Sequence, residues 1–406
     1  MITDSWPDII LLTDINSLYI YEIDSRTYFF FGDKHRTRFV GGCEDTLHIK
    51  CDDFNTNFTA SEYYGTECTS IGILLHNWFI YNNDHNVKTD FYLELEFTHD
   101  EERYNYKKFL NIVKGLHQQN TSVSWLRLIS YVMEPCFIRE KTACPYYPNV
   151  HGHYIDIRTM DEGPIHLYAD PFMLLNLYDN LYKFLPIYDT ILLQNDITRI
   201  LDIIINNYME ILQSILQPYG FDQFIQKYIN MVDQFYTPIG KLYIDKFINM
   251  RQFTVINNGN IMHRTAFELL KLKSQSPHIA NLIEQFVYTT ANDHMNHIIN
   301  VYTKNNINSV SSFLEKYANE LLPLSALFMD TYVLIRIFLQ NDSSQIIVYT
   351  GSAHTAQYSR FIEDYLGIQP NLHFPLVPNN LCLEITNLSD YLPANEYRKY
   401  VVNKNL

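Results

Sequence analysis

The sequence predicts an α/β fold in which a sheet formed by amino-terminal strands is completed by a carboxyl-terminal strand, with a large helical insertion between them. Three observations lead there. From the start to about residue 160, short apolar or alternating runs recur at strand length. From about 170 to 340 the apolar period becomes that of helices. Near each end, an apolar run is followed at once by Gly-x-x-His. Tyr28-Phe29-Phe30-Phe31 runs into Gly32-Asp33-Lys34-His35, and Ile346-Ile347-Val348-Tyr349-Thr350 runs into Gly351-Ser352-Ala353-His354.

The strand-like runs of the first part are Asp8 to Leu12, Ser17 to Ile23, Thr27 to Phe31, Ile71 to Tyr81 and Phe91 to Phe97, with His153 to Arg158 alternating again near its end. Helices are expected from Asp100 to about Gly115, opened by the acidic Asp100-Glu101-Glu102, and over Val123 to Met133. In the middle block, Ile197 to Leu216, Phe221 to Tyr236, His278 to Thr289, Ser311 to Leu321 and Leu324 to Leu339 read as helices. Their apolar stripes read as packing surface, because helices beside a sheet bury one face. The strand at Ile346 then returns the chain to the sheet. Thr355 to Leu366 suits a helix with Gly367 as its stop. The expected organisation is therefore a strand-rich α/β part over 1–170, a helical block over 171–340 acting as an insertion or lid, and a returning strand and helix over 341–406.

With 47% hydrophobic and 18% charged residues among 406, the chain can bury a substantial core. No Ser/Gly-rich or charged tract marks a flexible linker. A net charge of −15 and a pI near 5.4, without a cluster of Lys and Arg, argue against a nucleic-acid partner. Lys34, Arg36 and Arg38 form a local basic patch that either meets an anionic substrate group or lies on a solvated loop. The amino terminus has no secretory pattern, and no window reaches the roughly 20 apolar residues of a membrane span. A soluble, intracellular protein with no membrane partner is expected. None of the six cysteines forms a CxxC pair, which disfavours a zinc ribbon or a thioredoxin-type site.

Chance alone would give roughly half of one Gly-x-x-His in a chain with 13 Gly and 15 His. Three occur. The third, Gly163-Pro164-Ile165-His166, follows a polar stretch and reads as a turn, whereas a strand-like run precedes each of the other two. At a strand end, Gly permits a sharp turn, and the His three residues later can lie over the carboxyl end of a sheet, where ligands bind in open α/β folds. A strand followed by a helix amino terminus also favours anions.

His35 and His354 are therefore candidates for metal ligands or acid/base groups, with a structural role as the alternative. Asp33 could coordinate the same ion or hold an imidazole. In Phe91-Tyr92-Leu93-Glu94-Leu95-Glu96-Phe97, Glu94 and Glu96 share a face. On an edge strand they would simply be wet; on a central strand Glu94 or Glu96 is the first choice for metal ligand or general base. In His151-Gly152-His153-Tyr154-Ile155-Asp156-Ile157-Arg158, the two histidines share one face and could grip an ion. Asp156 and Arg158 on the other either orient a substrate or form a plain ion pair. Asp330 and Arg336 read as a structural or solvated pair. P-loop, GxGxxG, GxSxG and HExxH patterns are missing, which disfavours an NTPase, a dinucleotide enzyme, a serine hydrolase and a zincin. Cys43 is the cysteine nucleophile to watch.

Paired Gly-x-x-His motifs, carried here by Gly32, His35, Gly351 and His354 with Glu94 as the acidic match, resemble the Tiki/TraB family and its erythromycin-esterase-like and ChaN-like relatives. The chain also looks like proteins of giant DNA viruses that begin with a strand-GDxH segment and close with strand-Gly-x-x-His. The resemblance covers about a fifth of the chain. It implies an α/β fold and, for Tiki proteins, metal-dependent proteolysis; a divalent zinc, manganese or iron ion and a location in an infected host cell or a virion are expected. Tiki proteins are membrane-associated or secreted, and this chain departs from them in showing no such segment. The expected function is a metal-dependent or histidine-based hydrolase using His35, His354, Glu94, Asp156 and Arg158. The alternative is a non-catalytic interaction or virion-associated protein retaining an enzyme-like fold.

Overall fold

The apolar runs that precede the two glycines lie side by side as parallel strands. A computed structural model of the chain describes residues 9–13, 15–33, 66–96, 147–156, 208–210, 212–218, 223, 261–304, 310–340, 342–374 and 382–386. The chain falls into two units, Met1–Ile155 with Asn341–Leu406, and Asp156–Gln340.

The first unit holds the strands. They are β1 (Ile9–Thr13), β2 (Ser17–Ile23), β3 (Arg26–Asp33), β4 (Thr66–Ser70), β5 (Thr89–Glu96), β6 (Val150–Asp156), β7 (Gln345–Gly351), β8 (Leu372–Phe374) and β9 (Cys382–Thr386). Six of them form a sheet in the order β6-β5-β7-β3-β2-β8, and a smaller sheet runs β4-β1-β9. In the larger sheet β7 is parallel to both β3 and β5, with Phe29 opposite Ile347 and Phe91 opposite Ile347 on the other side. β2 and β3 form an antiparallel hairpin, whose tight turn places Asp24 and Ser25 at φ +48° and +64°. The fold is thus α/β, with the carboxyl-terminal strand inserted between amino-terminal ones.

β3 and β7 are buried on both faces, which is why they are continuous runs of aromatic and β-branched residues instead of alternating ones. One face, carrying Phe29, Phe31, Phe91, Leu93, Ile347 and Tyr349, packs on α1 (Ile71–Asp84). The ring of Trp78 meets Phe29 edge-on at 4.6 Å, and Phe79 meets Phe91 at 5.2 Å. The expectation of a strand over Ile71 to Tyr81 is therefore corrected to a helix. Ile71, Leu74, Leu75 and Trp78 recur at helical spacing and are all buried. A continuous apolar run hides that period, since helix and buried strand look alike in it.

The opposite face receives α5 (Ser352–Asp364). Tyr358 lies 5.8 Å from Phe30, and the buried Tyr21 hydroxyl joins β2 to the helix through Ser359 (2.5 Å) and Glu363 (2.9 Å). Burial holds that phenol well above its ordinary pKa, so it stays a neutral donor. The helix stops as expected: Gly367 has φ +70°, and Ile368 N–H donates to Ile362 O across the stop. At the amino ends of β5 and β7, Gln345 Oε1 accepts from Asn82 Nδ2 (2.6 Å) and Trp78 Nε1 (3.2 Å), which ties α1 to the sheet at its rear.

The second unit contains α2 (Ile261–Gln275), α3 (Pro277–Lys304) and α4 (Val310–Ile337), in contact pairwise. The two helices expected over Ser311 to Leu321 and Leu324 to Leu339 are one, with Pro323 inside it. Proline removes a single backbone hydrogen bond, and the apolar stretch beyond it, from Leu324 onward, is buried enough to carry the helix through. Arg336 is paired with Glu268 of α2, a structural role, while Asp330 is buried. Among the described residues no helix is long and apolar enough to cross a membrane. The helices expected at 100–115, 123–133 and 221–236 lie outside the described residues or nearly so, and of Ile197 to Leu216 only residues from 208 onward are described.

Candidate active site

Because β3, β5 and β7 are parallel, their carboxyl ends coincide, and the antiparallel β2 starts at the same end. Asp33, the half-buried last residue of β3, is opposite Gly351, the last residue of β7 and the residue from which α5 begins. β5 is an interior strand between β6 and β7, which decides the question its sequence left open. Glu94 is accordingly buried, at 6% exposure. Glu96 ends the same strand, and its side chain lies outside the described residues.

A lone carboxylate buried here would be costly. Three features offset the cost. Gly351 N–H donates to Glu94 Oε2 at 2.6 Å. The positive end of the α5 dipole starts at that same residue, whose lack of a side chain leaves the helix without a side-chain cap. His354, in the first turn of α5 and itself buried, brings Nε2 to 3.4 Å from Glu94 Oε1. That distance is long for a hydrogen bond and short enough for strong attraction once the imidazole is protonated.

The glycines act differently from the turn-forming role their positions suggest. Gly32 lies inside β3, and Gly351 has φ −58° and ψ 144°, which any residue can adopt. What Gly32 provides is room. A Cβ there would be 2.0 Å from Ser17 Oγ, 2.7 Å from Thr355 Oγ1 and 2.9 Å from Ser352 Cα. The helix start therefore sits directly on β3, held by Ser17 Oγ and Thr355 Oγ1 at 3.2 Å.

His35 and Arg158 lie outside the described residues, as do Lys34, Arg36, Arg38, Cys43 and the Gly163 motif. Asp156 is the buried last residue of β6. Comparisons with protein-family models, with curated proteins and with solved structures give no match.

His151 and His153 do share a face, and both turn to Asp90, near the opposite end of β5. His153 Nε2 is 2.9 Å and His151 Nδ1 3.6 Å from Asp90 Oδ1, and His153 stacks on Tyr92 at 4.5 Å. Four residues of strand separate Asp90 from Glu94, about 13 Å. Asp90 was legible in principle, since period two puts it on the face of Tyr92 and Glu94. Among the described residues no three His, Cys, Asp or Glu side chains converge as a metal ion requires.

The hydrogen-bonding pull of Asp90 raises the His151 imidazole above its ordinary pKa, with burial opposing. A raised pKa in the folded state stabilises the fold fully below the ordinary value of about 6.5, and the gain disappears as pH rises through the raised value. The side chain is 49% exposed, so screening keeps the effect below about 0.5 kcal/mol. His151→Ala is expected to lower stability at about pH 5.5 and to be neutral near pH 8.5. Urea titrations at the two pH values check this; an equal loss at both would show that the charge on His151 is irrelevant.

Proposed function

We propose that this chain is a hydrolase in which His354, oriented by Glu94, activates water at the carboxyl ends of the central parallel strands. The observation that carries the reading is the buried contact between Glu94 and His354 at the start of α5, in the position where open α/β sheets bind ligands. The paired Gly-x-x-His motifs and their family resemblance support the same class.

The chemistry follows from the pair. A neutral His354 accepts a proton from water as the water oxygen attacks the scissile centre, and the carboxylate of Glu94 stabilises the imidazolium that forms. The imidazolium then gives that proton to the leaving group. Gly351 N–H fixes Glu94, so the carboxylate cannot swing away from the ring. Asp33 lies across the strand pair from Gly351 and is within the same mouth.

The described donors do not by themselves make up a metal shell, so no step here runs through an ion. A divalent zinc, manganese or iron ion belongs to the proposal only if His35 joins His354 and Asp33. Metal content of the purified, untagged protein, wild type against the His35→Ala/His354→Ala double variant, tests that arm. Near-stoichiometric metal in the wild type and none in the folded variant would establish a joint site. No metal in either, after reconstitution with each ion, would leave metal-free histidine chemistry, and a screen of ester, amide and phosphoester substrates without turnover would remove the hydrolase reading.

A further inference from the structure

Asn16 is buried at 1% exposure, and neither its Oδ1 nor its Nδ2 has a hydrogen-bonding partner. Among the described residues it is the side chain with both polar ends left unsatisfied. Asn82 also has an orphaned Oδ1, but its Nδ2 donates to Thr89 and Gln345. Thr265 and Thr290 have single hydroxyls within helices. A buried carboxamide with two donor protons and an acceptor oxygen unused is costly. A fold that needed only to fill this space would be served better by leucine, so the amide points to a partner from outside the chain.

Its place says which partner. Asn16 precedes β2 at the same strand mouth as the catalytic pair, and its N–H donates to Gly32 O at 2.8 Å. The next residue, Ser17, touches α5 through Thr355, and Gly32 lies under Ser352. Strands β2, β3, β7 and β5 are consecutive neighbours. At about 4.8 Å per strand, Asn16 is about 10 Å from Gly351 and about 14 Å from the strand of Glu94. That is the span of a substrate with its scissile bond at one end and a recognition group at the other.

We propose that Asn16 is a substrate-binding residue that takes a neutral group offering a hydrogen-bond donor and an acceptor side by side, as an amide or the edge of a nucleobase does. The proposal rests on the hydrolase reading only in taking this mouth as the substrate site. The phenolic, hydroxyl and carboxylate groups of Tyr21, Ser359 and Glu363 make a comparable polar cluster, but they satisfy one another and need no ligand.

The test compares wild type with Asn16→Leu, using N-acetylglycinamide as the amide probe and adenosine as the nucleobase probe. Asn16→Leu is expected to melt at the wild-type temperature or above it, because an unpaired polar group is replaced by an apolar one of similar size. The side-chain amide NMR signal missing from Asn16→Leu identifies Asn16, and one of the probes is expected to shift it in the wild type. Binding of that probe should weaken about tenfold or more in the variant. A variant that melts several degrees lower would show that Asn16 has a structural role, and absence of a shift with both probes would equally overturn the proposal. These readouts need no turnover. Probe binding that persists in His354→Ala, with no hydrolysis found in the wild type, would reject the hydrolase reading and leave this one standing.

Discussion

Gly32→Ala is expected to destabilise the strand-bearing unit by about 1 to 2 kcal/mol net, since overpacking a closed site costs about 1 to 3 kcal/mol. Two effects oppose each other. Alanine restricts the unfolded chain and would by itself stabilise by about 0.4 to 1 kcal/mol. Against that stand three contacts below 3.0 Å, and they differ in what can yield. Ser17 Oγ can rotate away at the loss of its bond to Thr355, and the Thr355 hydroxyl can shift with it. Ser352 Cα is backbone in the first turn of α5, so it moves only if the helix start lifts from β3. The overpacking therefore wins. Ser17→Ala in the Gly32→Ala background should recover part of the loss and leave the backbone part. Denaturation followed by tryptophan fluorescence, to which Trp78, buried in the same unit, contributes, reads both; a Gly32→Ala change within about 0.5 kcal/mol of wild type would mean α5 is not fixed on β3 as described.

The second large effect concerns chemistry more than stability. In the proposed mechanism Glu94→Gln keeps an acceptor for Gly351 N–H but removes the charge that stabilises the protonated imidazole, and His354→Ala removes the base. Each is expected to lower kcat by about 10²- to 10⁴-fold, the usual contribution of a positioned acid or base. The fold should persist in both. Glu94→Ala differs, because the Gly351 N–H then loses its acceptor, which adds a stability loss of about 1 to 3 kcal/mol. A double variant Glu94→Gln/His354→Ala should be no slower than the worse single variant, since the two residues act as a unit. Multiplicative losses would show that they act separately.

Lifting of the helix start links these two results. His354 lies two residues beyond Ser352, so a displacement that relieves Gly32→Ala also carries the imidazole away from Glu94. In the proposed mechanism Gly32→Ala thus costs activity even at temperatures where the unit is folded, because small misplacement of the proposed base is expensive.

The sequence by itself determined the α/β class, the return of a late strand to an early sheet, and the identity of His354 and Glu94 as groups worth testing. Those are local signals: runs of Phe, Ile and Val at strand length, a Gly-x-x-His after each of two such runs, and a carboxylate in an otherwise apolar strand. It misread Ile71–Asp84, where apolar residues on nearly every position conceal a helical period. It also read as two helices what is one, because Pro323 looks like a break and tertiary burial overrides it.

Only the tertiary structure decided that Glu94 is on an interior strand and meets His354, since strand order depends on pairings between segments far apart in the chain. The same holds for Gly32, whose function is steric and is set by Ser17, Thr355 and Ser352. A turn glycine and a contact glycine look identical in sequence. His151 and His153 were visible as a pair, but their partner Asp90 belongs to a neighbouring strand. Asn16 carried no sequence signal at all, because an unsatisfied amide is defined by what surrounds it, and burial is a property of the folded chain.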